Sequence, residues 1–268
     1  MFTYHSKCGV LSALIVTLLL TATAEAAAVM SFNLRSNKVS LPGTAMASTE
    51  QAGAAGVYHD NWNDVLASST GGTTLSAGTI RDETGAIVNG TTFSVTGPSF
   101  PEQFPGYGTG TTKMFSGGFD IGPKASSSDL NISLTGITYA TYDVYVYSVG
   151  GSSTTRGGDV WLNGFLTGAR KSLRHASTRP NLGYTEANDT DAFDNLTAQG
   201  SYLVFRGQYG SSLTLDFEAG ASQRFPIAGI QIVGTSVAAV PEPSTLVMFG
   251  VGLLCLPASR LRKKSLRV

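Results

Sequence analysis

The clearest strand signal in the chain is the stretch Tyr142-Asp143-Val144-Tyr145-Val146-Tyr147. Valine and tyrosine favour strands, and successive side chains of a strand point to opposite faces of its sheet. Tyr142, Val144 and Val146 are therefore predicted to share one face, and the three residues that alternate with them to share the other. We predict that Tyr145 and Tyr147 pack against the sheet rather than bind a ligand.

The same alternation recurs toward the C-terminus, in residues 202–206, 212–217 and 225–233. Turn residues separate such runs: Asp82-Glu83-Thr84-Gly85 predicts a hairpin, and Asn163-Gly164 is typical of a type I′ turn. With about nine to eleven short strands and almost no helical periodicity, the core is predicted to be all-β, a single two-layer antiparallel β-sandwich.

Three segments are predicted along the chain. Residues 1–28 form a secretory signal with a helix, residues 29–237 form the sandwich, and residues 238–268 form a C-terminal signal with a short hydrophobic helix. Within the sandwich, residues 98–112 carry three prolines and three glycines. This stretch is predicted to be a long loop over one end of the sandwich.

The composition excludes two classes of function for the core. Six of the 18 basic residues lie in the two end segments, against two of the 18 acidic ones, so the core is mildly acidic. Without a basic stripe to neutralise phosphates, nucleic acid is excluded as a partner at this level. Cys8 and Cys255 both lie in the end segments. The core therefore has no thiol nucleophile, thiolate metal ligand or internal disulfide.

The N-terminal segment has the three parts of a secretory signal peptide. Lys7 precedes the apolar run Val10 to Leu20, and small residues follow up to Ala28. This pattern predicts export through the Sec translocon and removal by signal peptidase. Ala-x-Ala sites place the cleavage after Ala24, Ala26 or Ala28. An uncleaved anchor is the alternative, which the short run disfavours because a spanning helix needs about 20 residues.

The C-terminal segment also has three parts in a fixed order. The motif Pro241, Glu242, Pro243 comes first, and an apolar run and a basic tail follow it. Basic residues stay on the cytoplasmic side of a membrane, and a short run suits a temporary anchor better than a stable span. The predicted anchor residues are Leu246, Val247, Met248, Phe249, Val251, Leu253, Leu254 and Leu256, and those of the tail are Arg260, Arg262, Lys263 and Lys264.

Together these residues resemble the PEP-CTERM sorting signal of Gram-negative, exopolysaccharide-producing bacteria. The resemblance implies recognition by an exosortase while the chain is transiently anchored in the inner membrane. It further implies cleavage near Pro241-Glu242-Pro243 and delivery to the cell surface or the extracellular polysaccharide matrix. An ordinary tail anchor with a chance Pro-Glu-Pro is the alternative.

The core carries a second resemblance, spread over several short motifs. They are Ala55-Gly56-Val57 with Asn61-Trp62-Asn63, residues 113–119, residues 142–147 and residues 226–233. In this order they resemble a jelly-roll domain of exported bacterial proteins that is similar to galactose-binding-like and carbohydrate-binding sandwiches. The resemblance implies a jelly-roll-like fold, and it implies carbohydrate binding only by analogy, because a shared fold does not fix function.

Two candidate binding sites follow from side-chain chemistry. Trp62 lies in a polar cluster with Asp60, Asn61 and Asn63, where a ring flanked by amides and carboxylates could hold a sugar. The alternative, which we favour, is that Trp62 closes the end of the core while its neighbours cap turns. A candidate structural calcium site concentrates oxygen donors in one loop, at Asp189, Asp191 and Asp194. A simple solvated loop is the favoured alternative there.

Catalysis has little support in the sequence, and no other cofactor is predicted. His59 and His175 belong to no His-x-x-x-His or His-Glu-x-x-His pattern, and no Gly-x-Ser-x-Gly elbow occurs. We therefore expect a non-enzymatic protein of the surface or matrix, with weak affinity for extracellular polysaccharide. A dedicated carbohydrate-binding module and a polysaccharide hydrolase with dispersed catalytic residues are the two alternatives, because a triad is recognised by geometry and not by sequence.

Overall fold

A computed structural model describes most of the core of the chain. The described residues are 28–35, 45–66, 73–97, 100–103, 110–122, 130–148, 156–175, 184–194, 196–220 and 224–236. The chain divides after Ser236, and all described residues belong to the first unit, Met1–Ser236. The second unit, Val237–Val268, lies outside them.

Fourteen strands and one 3₁₀ helix make up the described structure. The first seven strands are β1 (Val29–Arg35), β2 (Asn63–Leu66), β3 (Thr73–Leu75), β4 (Thr92–Thr96), β5 (Phe100–Gln103), β6 (Gly117–Ile121) and β7 (Leu130–Thr135). The last seven are β8 (Thr141–Ser148), β9 (Gly157–Leu162), β10 (Ala169–His175), β11 (Gln199–Gly200), β12 (Tyr202–Gln208), β13 (Ser212–Ala219) and β14 (Phe225–Ser236). The 3₁₀ helix spans Gly110–Ser116.

The first sheet is built around its longest strand, β14. The order is β12-β8-β14-β1-β2, and β6 joins β14 with β5 outside it. Strand β8 pairs along nearly the whole of β14. The other edge of β14 is shared, because residues 225–227 pair with β6 and residues 229–233 pair with β1.

The second sheet has the order β11-β10-β9-β13-β7-β4-β3. Pairing between the described strands is antiparallel except for β1 with β2 and β10 with β11, which run parallel. The predicted all-β sandwich is therefore confirmed, with these two parallel pairs as departures from a purely antiparallel order. The strands number fourteen, more than the nine to eleven predicted, because pairs as short as Gln199–Gly200 carry no sequence signal.

The main core lies between the two sheets. It contains Phe32 and Phe93, one from each sheet, whose rings stack with centroids 4.2 Å apart. Tyr142, Val144 and Val146 of β8 all belong to it, as the alternation predicted. Burial of these side chains supplies the driving force for closing the sandwich.

The first sheet is buried on its outer face as well. Residues 45–62 and the 3₁₀ helix cover β1, β8 and β14 there. In the resulting second apolar cluster, Trp62 and Met114 of these covering segments pack with Tyr147 of β8. The cover explains why all of β1 except its last residue is buried, although its side chains alternate between two faces.

Two predicted loops differ in the structure. Within 98–112, β5 forms and pairs with β6, and the 3₁₀ helix begins at Gly110. Asn163 has a left-handed φ of 59°, yet the link between β9 and β10 spans residues 163–168 and is no two-residue hairpin. The hairpin at residues 82–85 is confirmed, since Arg81 pairs with Ile87 across it.

The two ends of the described domain lie side by side. Ala28 precedes β1, and its carbonyl accepts a hydrogen bond of 2.8 Å from the amide of Gly234, near the end of β14. Both segments that were predicted to direct transport therefore join the sandwich at the same end.

Candidate functional site

The predicted sorting residues fall in a part of the chain that the structure does not describe. These are the motif 241–243, the anchor 246–256 and the basic tail, together with the N-terminal signal up to residue 27. In the described part of the chain, no helix has both the length and the hydropathy for crossing a bilayer.

Trp62 is buried, so its ring is not an open platform for a sugar. Only 6% of the residue is exposed, and its Nε1 donates a hydrogen bond of 3.0 Å to the carbonyl of His59. The ring meets that of Tyr147 edge-on, with centroids 6.1 Å apart. The structure therefore places Trp62 in the outer apolar cluster, where it helps to hold the covering segment on the sheet.

The polar neighbours of Trp62 are also engaged within the protein. The side-chain amide of Asn63 donates to the carbonyls of Ser31 and Arg81 and accepts from the amide of Arg81, all within 3.0 Å. Asn61 has a φ of 54° and donates to the carbonyl of Glu83 and to the carboxylate of Asp60. These groups connect β1, β2 and the hairpin at residues 81–87, which is a structural role.

Two of the three aspartates of the candidate calcium loop bond to backbone amides of that loop. Asp189 accepts hydrogen bonds from the amides of Asp191 and Ala198, each 2.9 Å long, and Asp194 accepts one from the amide of Leu196. Within the described ranges, no three side chains of the His, Cys, Asp or Glu types group closely enough to hold a metal ion. The carboxylates of Asp189 and Asp194 therefore brace their own loop, and the choice between a calcium site and a simple solvated loop stays a prediction.

A cluster of tyrosines on the outer face of the first sheet is the strongest candidate for a binding surface. We call it the tyrosine surface: the half-buried Tyr145, Tyr184 and Tyr202, arranged around the buried Tyr147. Tyr145 stacks on Tyr202 with centroids 6.0 Å apart, and Tyr147 meets Tyr184 edge-on at 5.7 Å. Half-buried rings combine a fixed position with an accessible edge or face, which suits recognition.

An ion pair borders the tyrosine surface. Both terminal nitrogens of Arg206 donate to the carboxylate of Glu186, with each distance 2.7 Å. The hydrogen bond from Arg206 holds the pKa of Glu186 below its usual value, and the same contact raises the pKa of Arg206. Burial raises the pKa of Tyr145 and of Tyr202, so both phenols stay neutral at physiological pH. A bidentate pair of this kind fixes donors and acceptors in one plane.

The tyrosine surface was only partly visible in the sequence. Packing of Tyr147 against the sheet is confirmed, but Tyr145 keeps part of its ring accessible. Strand β12 lies beside β8 in the sheet, with Tyr202 opposite Tyr147 and Val204 opposite Tyr145. Alternation in β12 alone would place Tyr202, Val204 and Arg206 on one face, but only the pairing shows which tyrosines they meet.

A serine and a histidine also come together, in the interior. Ser148 Oγ and His175 Nε2 are 3.2 Å apart, and both residues are at most 2% exposed. The serine hydroxyl donates to the carbonyl of Pro226, so the imidazole nitrogen is the donor to the serine oxygen. Burial, and then the nearby Arg156, lower the pKa of His175 to about 3. A serine whose proton is committed to a carbonyl, beside a neutral histidine that donates, is not arranged for nucleophilic attack.

Comparison with known families identifies one feature of the chain. Residues 239–263 match the PEP-CTERM protein-sorting motif, which confirms the sorting signal predicted at the C-terminus. That motif is a signal for processing by an exosortase and for export to the cell surface. No curated protein and no solved structure matches the chain. The similarity of the core to galactose-binding-like sandwiches stays a prediction.

Proposed function

We propose that this protein is a non-catalytic component of the cell surface or extracellular polysaccharide matrix, with weak affinity for carbohydrate. The signal peptide delivers it through the Sec translocon, and the short apolar helix holds it briefly in the inner membrane. The exosortase then releases the β-sandwich. The observation that carries the proposal is the sorting motif at residues 239–263, joined to a sandwich whose core has no cysteine.

The two ends of the sandwich support this route. Ala28 and Gly234 are hydrogen-bonded neighbours, so the N-terminal signal and the sorting signal both attach at one end of the folded domain. A domain whose two ends are neighbours can fold as a unit while it is tethered through both of them.

The non-catalytic part of the proposal rests on the bonds that the candidate catalytic and metal-binding groups already make. The serine and histidine that come closest to a catalytic arrangement are buried, and the serine proton is committed to Pro226. The carboxylates of Asp189 and Asp194 accept from backbone amides of their own loop. Each of these groups already bonds to a structural partner, so none is set up to act as a nucleophile, acid or base on a substrate.

A processing experiment tests the proposal. The natural protein and a variant with Pro241-Glu242-Pro243 replaced by three alanines are expressed in the producing bacterium, with an epitope tag in a loop of the core. We expect a shortened product at the cell surface for the natural sequence, and full-length protein in the inner membrane for the variant. A natural protein that stays full-length in the membrane, or in the cytosol, would refute it.

A dedicated carbohydrate-binding module is the second candidate. The observation in its favour is the tyrosine surface with the Glu186–Arg206 pair beside it. Tight and selective binding of one polysaccharide would favour this candidate, whereas weak binding together with altered biofilm on deletion of the gene would favour the matrix role. Turnover of a polysaccharide by the purified protein would favour the hydrolase alternative over both.

A further inference from the structure

The tyrosine surface has a continuous arrangement of rings. Tyr145 and Tyr147 stand two residues apart on β8, and their rings are nearly parallel, with an interplanar angle of 15° and centroids 6.4 Å apart. Tyr202, on the neighbouring strand, is inclined to Tyr145 by 29°. Two strands of one sheet therefore present a row of similarly oriented rings, in which Tyr147 is buried and the other two are partly open.

The rings are held in place from below and from one side. The hydroxyl of Tyr147 donates to Gln231 and accepts a hydrogen bond of 3.0 Å from the amide of Ala54. The hydroxyl of Tyr184 accepts from the amide of Gly53 at 3.1 Å. These contacts fix Tyr147, against which the rings of Tyr145 and Tyr202 pack, so little conformational entropy is lost when a ligand binds.

The charges around the rings offset one another. Arg206 is paired with Glu186. Asp143 lies close enough to raise the pKa of Arg206, and Lys171 lies close enough to lower the pKa of Glu186. Lys171 is itself held by Asn188, whose side-chain oxygen accepts from its ammonium at 2.9 Å. Two cations and two carboxylates leave no excess charge to attract an anionic polymer.

We propose that the tyrosine surface binds a neutral glycan, with the partly open rings of Tyr145 and Tyr202 against the C–H faces of sugar rings. Glu186 and Arg206 then hydrogen-bond to hydroxyl groups at the border, as an acceptor and a donor fixed in one plane. The inference rests on the proposed function, since export brings the surface into contact with extracellular polysaccharide. It replaces Trp62, which is buried, as the site of carbohydrate recognition.

Affinity electrophoresis of the mature protein tests the inference. The probe is the extracellular polysaccharide of the producing bacterium, separated by anion exchange into a neutral and an acidic pool, and cast into native gels. We expect the neutral pool to retard the protein, equally in low and high salt. Tyr145→Ala and Tyr202→Ala should each weaken binding by about tenfold or more, which is what the loss of about 1.4 kcal/mol of ring contact produces.

Tyr209→Ala is the matched control. Tyr209 is 80% exposed in the turn after β12 and lies outside the cluster, so its loss should leave retardation unchanged. Tyr202→Phe should retain most of the binding, because it keeps the ring. Circular dichroism and melting temperature show whether each variant is folded.

Three outcomes would overturn the inference. They are no retardation by the neutral pool, retardation only by the acidic pool with loss in high salt, and Tyr202-dependent dimerisation in place of glycan binding. Fractionation of the same cells separates this failure from that of the proposed function. Processed protein at the surface without neutral-glycan binding refutes the inference and leaves the export and surface location of the proposed function standing, whereas unprocessed protein in the inner membrane refutes the proposed function.

Discussion

Gln231 Nε2 donates a hydrogen bond of 2.9 Å to Ser31 Oγ, which joins the last strand of the domain to the first. The same amide donates to the carbonyl of Val57 at 3.0 Å, and its oxygen accepts from the hydroxyl of Tyr147. Gln231 is completely buried. One side chain therefore connects β14, β1 and β8 with the segment that covers their outer face.

Replacing Gln231 by leucine should destabilise the protein. The change leaves Ser31, Val57 and Tyr147 with buried polar groups that have lost a partner, at a combined cost of about 3 kcal/mol in the free energy of unfolding. Urea denaturation followed by fluorescence measures it. Gln208→Leu is the control, since Gln208 is half-buried and its side chain donates to the carbonyl of nearby Arg206. This change should alter the free energy of unfolding by less than about 1 kcal/mol. Equal effects of the two changes would contradict a central role for Gln231.

Trp62 should matter for stability and not for glycan binding. Trp62→Ala removes a buried ring that packs on Tyr147 and Met114, and should lower the free energy of unfolding by about 3–5 kcal/mol. Trp62→Phe keeps much of the packing, and this variant should bind the neutral polysaccharide pool within about twofold of the natural protein. Denaturation curves and affinity electrophoresis measure the two properties. A Trp62→Phe variant of natural stability that no longer binds glycan would return the binding site to Trp62.

The stability of the protein should fall in acid because of His175. Its pKa is lowered to about 3 in the folded state, so between about pH 6.5 and 3 the unfolded chain takes up a proton that the folded chain does not. The free energy of unfolding should therefore decrease as the pH falls through that window, by about 3 kcal/mol at pH 4 from this residue. The positive charge of Arg156 also lowers the pKa of His175, because it disfavours the charged imidazolium.

His175→Gln isolates this contribution from those of the carboxylates. The variant has no titrating ring, so the difference between its stability at pH 7 and at pH 4 should be smaller than that of the natural protein. His59→Gln is the matched control, because His59 lies in the covering segment on the surface side and is partly exposed. If His175→Gln kept the full acid sensitivity, carboxylates alone would account for it.

The sandwich can be predicted from the sequence because the alternation that indicates each strand lies within a few consecutive residues. Alternation in residues 142–147 assigns each side chain to a face, and the structure places Tyr142 between the sheets and Tyr147 on the outer face. The sorting motif is also local, since it is recognised as a linear string. Both features need no knowledge of which strands are neighbours.

The candidate site depends on contacts that are distant along the chain. Tyr145 and Tyr202 become neighbours only because β12 pairs with β8, and Glu186 meets Arg206 only after residues 184–187 fold beside β12. The sequence instead points to Trp62 as the candidate, because its polar neighbours are adjacent in sequence. In the structure those neighbours turn to the hairpin at residues 81–87 and the ring turns inward. Local polarity therefore indicated a turn and not a binding surface.

The mature protein should retain Ala28. The carbonyl of Ala28 accepts from the amide of Gly234, and the residue packs against the main core, so it is part of the folded domain. Cleavage after Ala24 or Ala26 preserves this contact. Cleavage after Ala28 removes it and leaves the buried amide of Gly234 without that acceptor, which should lower the free energy of unfolding by about 1–3 kcal/mol. N-terminal sequencing and intact mass of the surface-located protein identify the first residue. We expect Glu25 or Ala27, and a chain that begins at Val29 would show that the domain forms without this link between its two ends.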